Sequence, residues 1–316
     1  MIGTGLVTLG ETMALLNAVS VGKLRHTTSM TLGIGGAESN VAIGVHRLGT
    51  PATWIGRVGD DELGEFVITS IRGEGVRTHP VIDEDAPTGL MLKHNRIPGV
   101  STVNYYRAGS AGSRLDPSDL DEQIISGANV LHLSGITSAL SISARNAVHS
   151  ALDIAAAAHV PISFDINYRS ALWPYDRARP ALREIARRAT IVFAGDDEAA
   201  LLGFEGTPLE QADALSAFGP SEAVIKLGAH GAVAVADGRQ IQAAAHTVDA
   251  VDPVGAGDAF VAGYLADRIN NRTPDHRLAT ATACGAFAVT APGDWEGLPT
   301  RRDLALLSTA PGTVTR

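Results

Sequence analysis

Short apolar runs alternate with helix-like runs along most of this chain, and that alternation constrains the fold more than any other feature. Strand-like runs are predicted at residues 6–9, 52–55, 130–133, 161–166, 190–193, 223–226 and 232–235. Helical spacing is predicted over 40–48, 62–73, 143–159, 178–189 and 259–269. Continuous apolar strands separated by helices indicate an α/β fold with a mainly parallel sheet covered by helices on both faces. Such sheets bind ligands at the carboxyl ends of their strands.

Two segments, residues 12–35 and 88–112, break this pattern with alternating apolar and polar residues. Alternation predicts a half-exposed antiparallel sheet outside the parallel one. A lid over a site, a dimer surface and an ordinary insertion all fit such a sheet. Because no internal repeat, low-complexity tract or long linker interrupts the chain, we expect one domain over residues 1–316, with the small β-sheet as a lid.

Composition excludes several classes of protein. The net charge of −9 argues against general nucleic-acid binding, which needs a basic face. The single cysteine excludes a disulfide scaffold and a cysteine-rich zinc module. No basic residue precedes the first apolar run and no apolar run reaches about 18 residues, so we expect neither a signal peptide nor a membrane span. The expectation is a soluble cytoplasmic protein.

The sharpest motif is the segment 252–258 (DPVGAGD), which precedes a helix-like run and is called the 252–258 turn below. Glycine lets the backbone approach a ligand, and the first turn of a helix offers N–H groups to an anion. Gly255, Ala256 and Gly257 are therefore candidates for holding a phosphate in transit. Asp258 is a candidate base for an attacking hydroxyl, although a plain helix N-cap would explain an aspartate here equally well.

Two common nucleotide motifs are missing. No G-x-x-x-x-G-K-[ST] sequence occurs, so this is not a Walker P-loop. Residues 33–36 (GIGG) lack the third glycine of a dinucleotide fingerprint.

Residues 252–260 resemble the C-terminal signature of the ribokinase-like carbohydrate kinases, the PfkB family. Residues 35–42 (GGAESNVA) and 56–64 (GRVGDDELG) resemble its N-terminal signature, in the same order and at the matching ends of the chain. The resemblance covers nearly all of the sequence. It implies a three-layer α/β fold with a small β-sheet lid, and transfer of a phosphoryl group from ATP to a sugar.

Within that family the chain is most similar to 2-keto-3-deoxygluconate kinases, through residues 105–112 (YYRAGSAG), 132–137 (HLSGIT) and 165–169 (DINYR) with Leu172 and Trp173. Their matching positions imply sugar-acid contacts by Gly36, Tyr105, Arg107, Arg169 and Asp258. Asn40, Met91 and Asn167 complete the substrate site implied by the resemblance. Met91 stands where the related kinases have a tyrosine, so one hydroxyl is missing from the sugar pocket.

The chemistry of Arg107 and Arg169 is consistent with a sugar-acid substrate. A sugar acid carries a carboxylate, which the planar guanidinium fork binds well. The alternatives are a solvated lid residue for Arg107 and a surface ion pair for Arg169.

The resemblance also implies a nucleotide site. Its ATP loop corresponds to Lys226, Leu227, Gly228, Ala229, His230, Gly231 and Ala232, which a plain hairpin turn would also explain. Gly255, Ala256 and Gly257 would contact the phosphates, and Glu198 would connect to Mg²⁺ through water. The chain departs from the family at Gly195, where asparagine or serine is usual, and at Thr282, where asparagine is common near adenine.

The implied activity is ATP-dependent phosphorylation of 2-keto-3-deoxygluconate, with Mg²⁺, an optional monovalent cation and a homo-oligomeric assembly. Another PfkB sugar kinase acting on fructose or ribose, a non-catalytic nucleotide or sugar sensor and a dinucleotide-dependent oxidoreductase are the alternatives. Five residues are weaker candidates. Asp60, Asp61 and Glu62 are either metal ligands or turn and cap residues. We expect His132 to be a strand-end residue and Cys284 to be inert packing.

Overall fold

The computed structural model describes residues 5–97 and 100–308. Its strands are β1 Leu6–Leu9, β2 Met13–Ala18, β3 Met30–Gly35, β4 Ala52–Gly59, β5 Arg77–Asp83, β6 Leu90–Ile97, β7 Val100–Tyr106, β8 Val130–Ser134, β9 Ile162–Asp165, β10 Ile191–Gly195, β11 Glu222–Lys226, β12 Ala232–Ala236 and β13 Arg239–Ala243. Its α-helices are α1 Ala37–Arg47, α2 Glu62–Gly73, α3 Glu122–Ser126, α4 Gly135–Leu140, α5 Ile142–Ala157, α6 Tyr175–Arg188, α7 Asp196–Leu201, α8 Pro208–Phe218, α9 Ala256–Ile269 and α10 Pro274–Ala288.

Nine strands form the main sheet in the order β13-β12-β11-β10-β9-β8-β1-β4-β5. All neighbours from β11 to β5 pair in parallel, and only β12 runs in the opposite direction, pairing antiparallel with both β11 and β13. The predicted α/β class with a mainly parallel sheet is therefore confirmed. The sequence favours it because the central strands are apolar on both faces, as burial between two helix layers requires.

A buried apolar core lies on each face of this sheet. Along β1, Val7 and Leu9 join the cluster that includes α5 and α6, whereas Leu6 joins the cluster that includes α1, α9 and α10. Successive strand side chains point to opposite faces, so a four-residue strand contributes to both cores. Within the described residues no helix is long and apolar enough to cross a bilayer.

A separate four-stranded sheet, the lid sheet, has the order β3-β2-β6-β7. The expectation of a purely antiparallel sheet was wrong, because β2 and β6 pair in parallel. The chain between these strands passes through the main sheet, and such a crossover connection returns it in the same direction. Met91 and Lys93 on β6 are buried, whereas Tyr106 on β7 is exposed, so the lid sheet covers the molecule with one face only.

Several predicted boundaries also moved. Helices α1 and α6 each begin three residues before the residue predicted for them. The strand expected at 52–55 continues to Gly59, because residues 56–59 go on pairing with β5 up to Asp83. The helix expected from residue 259 begins at Ala256, so the whole 252–258 turn leads into α9 or forms its first turn.

Candidate active site

Two cavities meet at the 252–258 turn. Gly255 and Asp258 line a cavity of about 870 Å³ beneath the lid sheet, which we call the lid cavity. Ala256 and Gly257 line a second cavity of about 510 Å³, which we call the apolar cavity. Since consecutive residues at the start of one helix face both spaces, a group held at this turn is within reach of ligands in either cavity.

Gly255 shapes the turn. It is the N-cap of α9 with φ 77°, a left-handed conformation that favours glycine. A Cβ atom here would lie only 1.9 Å from the backbone oxygen of Asp294. The position therefore needs glycine both for its backbone conformation and for the close approach of the 294 loop.

Asp258 lies in the first turn of α9, so the alternative that it is merely the N-cap was wrong. Its Oδ2 accepts a hydrogen bond of 2.9 Å from Asn40 Nδ2 on α1. Burial raises the pKa of Asp258 to about 7, and the Asn40 hydrogen bond opposes that rise. A carboxyl group that titrates near neutrality suits proton transfer. Asn40 is 2% exposed, and its Oδ1 has no hydrogen-bond partner within the described residues.

Arg107 is held by a carboxylate rather than by solvent. Its Nε donates to Glu11 Oε2 at 2.8 Å, and its side chain is 11% exposed. Ser110 Oγ donates to the other Glu11 oxygen. The alternative of a solvated lid arginine was therefore wrong. Arg169 is exposed and forms no ion pair within the described residues, so the alternative of a surface ion pair was wrong as well.

The lid cavity gathers most of the substrate residues predicted from the sequence. Gly36, Asn40, Met91, Tyr105, Arg107, Arg169 and Asp258 all line it. Asn167 does not line it: this residue is 8% exposed and has a φ of 38°, at the loop that follows β9.

The apolar cavity holds the predicted nucleotide residues in part. Lys226, Gly228, Ala229, Gly231, Ala256, Gly257 and Thr282 line it, whereas Gly195, Leu227, His230, Ala232 and Gly255 do not. The loop 227–231 is indeed a hairpin connection between β11 and β12, and the same loop forms one wall of the cavity. Its remaining walls include Val248, Pro253, Phe260 and Val289, an apolar surface suited to a flat ring.

Lys226 brings a positive charge to this cavity beside the 252–258 turn. Its Nζ donates to both oxygens of Asp165, at 2.7 and 2.8 Å. Burial opposes the charge, but Asp165 and Glu198 outweigh it and hold the pKa of Lys226 above its usual value. A Cβ on Gly257 would lie 3.9 Å from Nζ, which places the ammonium at the start of α9.

Glu198 is half-buried beside this pair, and this burial raises its pKa. Its two oxygens already accept backbone hydrogen bonds of 2.7 Å from Tyr168 and from Gly195. No group of three metal-ligating side chains occurs in the described part of the chain. Mg²⁺ commonly keeps several waters and is held by one or two carboxylates with substrate phosphates. These residues therefore fit a metal that arrives with a nucleotide and is reached through water.

Other candidates resolve as structural residues. Asp61 is the N-cap of α2, where it accepts from Gly64 N at 2.7 Å. His132 lies in the middle of β8 and pairs with both neighbouring strands, so the expectation of a strand-end residue was wrong. Burial lowers the pKa of His132 to about 4, and its Nδ1 lies 2.9 Å from Ser163 Oγ inside the sheet. Burial raises the pKa of Cys284 to about 12.

Four charged residues of this region have no role predicted from the sequence: Glu11, Lys93, Asp165 and Asp294. Asp165 ends strand β9, at the carboxyl edge where ligands bind, and that position could have identified it. Glu11 and Asp294 are isolated acids in loops with no local pattern, and their relevance comes only from what they contact across the fold.

Residues 4–301 match the model of the pfkB family carbohydrate kinases, so this chain belongs to that family. The protein is thus a sugar kinase, a transferase of phosphoryl groups.

Among curated relatives, the 2-dehydro-3-deoxygluconokinase of Thermoproteus tenax is 39% identical over 304 residues, covering 94% of this chain and 92% of its own. The 2-dehydro-3-deoxygluconokinase of Bacillus subtilis is 37% identical, covering 98% and 96%. A candidate ribokinase II of E. coli, solved with ATP and Mg²⁺, superposes with a TM-score of 0.88 at 27% identity and covers 96% of this chain and 98% of its own.

Proposed function

We propose that this kinase transfers the γ-phosphoryl group of ATP to the primary hydroxyl of 2-keto-3-deoxygluconate (2-dehydro-3-deoxygluconate), giving the 6-phosphate and ADP. The observation that carries the proposal is the sharing of the 252–258 turn between the lid cavity and the apolar cavity. An acceptor under the lid and a nucleotide in the apolar cavity would meet at the start of α9. The two similar 2-dehydro-3-deoxygluconokinases and the ATP complex of the E. coli relative support this assignment of ligands.

The proposal assigns a residue of this chain to each part of the transfer. The Asp258 carboxylate takes the proton of the primary hydroxyl while the hydroxyl oxygen forms a bond to the γ-phosphorus and the bond to the β-phosphate oxygen breaks. The unpaired Asn40 Oδ1 is placed to accept from a substrate hydroxyl. The α9 amides and Lys226 stabilise the charge of the moving phosphoryl group. Mg²⁺, bound with the nucleotide and reached through water from Glu198, would neutralise phosphate charge.

The charges of the lid cavity support an acidic substrate. Glu11 already compensates Arg107. Arg169 is the lining cation without an ion pair within the described residues, and it is free to bind a carboxylate in a planar fork. A sugar carboxylate would give Arg169 the ion-pair partner that it lacks within the described residues.

A coupled assay of ADP formation tests the acceptor directly. Initial rates are compared for 2-keto-3-deoxygluconate, its galactose-derived epimer, fructose and ribose at equal concentrations. The proposal expects kcat/KM to be highest for one of the two sugar acids. Equal or faster turnover of a neutral sugar contradicts the sugar-acid assignment but leaves the kinase assignment standing.

The arginines give a sharper test. We expect Arg169→Ala to lower kcat/KM for the sugar acid about 10- to 100-fold, the value of a hydrogen-bonded charge pair, while kcat/KM for fructose changes little. Arg107→Ala would also leave the buried Glu11 without its partner. It is therefore paired with Glu11→Gln, so that no unpaired charge remains. Equal losses for sugar acid and fructose in both variants refute carboxylate recognition.

One observation favours a second candidate, a kinase for a neutral sugar such as fructose. Because Glu11 occupies Arg107, the lid cavity carries less positive charge than two free arginines would supply. The same panel of acceptors separates the two candidates. The monovalent cation and the homo-oligomer stay predictions, which rates with and without potassium chloride and the mass of the protein in solution would test.

A further inference from the structure

The chain has only three lysines: Lys23, Lys93 and Lys226. Lys93 lies on strand β6 of the lid sheet and is 2% exposed. Its Nζ is 2.5 Å from Asp252 Oδ2 and 3.8 Å from Asp294 Oδ1. A buried ammonium is costly unless it is paired, so its burial between two carboxylates requires an explanation.

Asp252 connects the lysine to the backbone of the active site. Its Oδ1 accepts from Val254 N and its Oδ2 from Gly293 N, both at 3.2 Å. One carboxylate therefore fixes two segments at once: the 252–258 turn and the loop around residue 293. Asp252 is 6% exposed, so its charge depends on a protein partner rather than on water.

Asp294 connects the same ammonium to Gly255 and to the lid sheet. Its backbone oxygen packs against Gly255, where a Cβ would lie 1.9 Å away. Its carboxylate packs under the lid sheet, where a Cβ on Gly35 would lie 2.3 Å from Oδ2. Burial raises the pKa of Asp294 to about 6, and Lys93 opposes that rise. Lys93, Asp252 and Asp294 thus form one cluster between the lid sheet and the 252–258 turn.

We propose that Lys93 is a positioning residue for phosphoryl transfer: its ammonium holds Asp252 and Asp294 so that Gly255, Ala256 and Gly257 present their backbone to the phosphoryl group. Lys93 lies on the lid sheet, but it acts through the turn. It affects the transfer step rather than the binding of either substrate. This inference rests on the proposed role of the 252–258 turn in phosphoryl transfer, but not on which sugar is the acceptor.

The test compares three variants on whichever acceptor the wild-type enzyme turns over best. Lys93→Met keeps most of the stem and removes the charge, and we expect kcat to fall about 100-fold while the KM values for ATP and sugar change little. Lys93→Arg keeps a charge and should retain more turnover than Lys93→Met. The matched control is Lys23→Met, which removes an exposed lysine between β2 and β3 and should leave kcat unchanged.

Chemical rescue separates positioning from mere packing. Lys93→Ala leaves a space beside Asp252 that a small alkylammonium ion fits. Ethylammonium or propylammonium chloride should raise kcat of this variant along a saturable curve, whereas tetramethylammonium chloride at the same ionic strength should not. A kcat that no amine restores, in a variant that melts as the wild type does, overturns the proposal. So does a Lys93→Met enzyme with wild-type kcat.

If Lys93→Met does not fold, a double variant that combines Lys93→Met with Asp252→Asn replaces the single variant. The second substitution leaves no unpaired carboxylate at position 252. Because the Lys93 ammonium lies closer to Asp252 than to Asp294, most of its effect passes through Asp252, and the pair should turn over about as fast as Asp252→Asn alone. A further tenfold loss in the pair contradicts that route. Failure of the proposed function would appear differently, as a wild-type enzyme without turnover on any acceptor.

Discussion

Replacing Asp258 by asparagine should abolish most of the activity and yet stabilise the protein. The structure raises the pKa of this carboxyl from 3.8 to about 7, chiefly by burial. A shift of about 3 units corresponds to about 4 kcal/mol, as an upper limit because the side chain is partly open to the lid cavity. Asparagine cannot ionise, so the variant avoids this cost.

The sign of the effect follows from proton binding. Between pH 4 and 7 the folded protein holds this proton more tightly than the unfolded chain does, so the contribution of Asp258 to stability falls as the pH rises through that range. Above pH 7 the full cost is present. We therefore expect Asp258→Asn to melt several degrees above the wild type at pH 8, and to melt at nearly the same temperature near pH 4.

Kinetics supply the other half of this prediction. Loss of a positioned base should lower kcat about 10²- to 10⁴-fold while nucleotide binding survives. The wild-type kcat/KM should rise with pH to a plateau above about pH 7, and the variant should lose that limb. Calorimetry and coupled-assay rates are measured on one preparation. The control is Asp275→Asn, which removes an exposed carboxylate from the first turn of α10. A variant that is less stable at pH 8, or that keeps near-normal turnover, refutes the reasoning.

Two further predictions concern the turn and the single thiol. Gly255→Ala should lower both kcat and the melting temperature, because φ is 77° and the new Cβ would lie 1.9 Å from the Asp294 oxygen; Gly73→Ala, where nothing lies within 4 Å, is the control, and equal melting temperatures contradict the clash. Cys284 should not react with iodoacetamide in the native protein at pH 8, because burial raises its pKa to about 12, and urea should expose it; mass spectrometry measures the adduct, and rapid native labelling would contradict the burial.

Much of the architecture could be predicted from local sequence. The helix from Glu62 to Gly73 was predicted to the residue, because an acidic N-terminal turn and a glycine at its end mark both boundaries. The strand at Leu6–Leu9 was predicted as well, from an apolar run between glycines. The parallel pairing of β2 with β6 could not be predicted. Alternation shows which residues share a face of a sheet, but not the direction in which a distant strand returns.

The candidate site likewise has features that local sequence predicts and features that it does not. The 252–258 turn is a local pattern, so glycine and aspartate at its spacing could be identified from sequence. The ion pair of Lys93 with Asp252, by contrast, joins residues 159 positions apart. Neither residue stands in a pattern that predicts its partner. Asp258 itself was found by its motif, but its shifted pKa depends on burial, which only the packed structure determines.

The distances in sequence between contacting site residues have a consequence for the order in which the protein folds. Asn40 bonds to Asp258 across 218 residues, and Arg107 to Glu11 across 96. Contacts of such separation close large loops and form late. A nascent chain emerging from the ribosome can build β1 and its neighbours before residue 252 exists, but it cannot complete the turn against α1. Binding of a ligand at this turn is therefore a marker of completed folding.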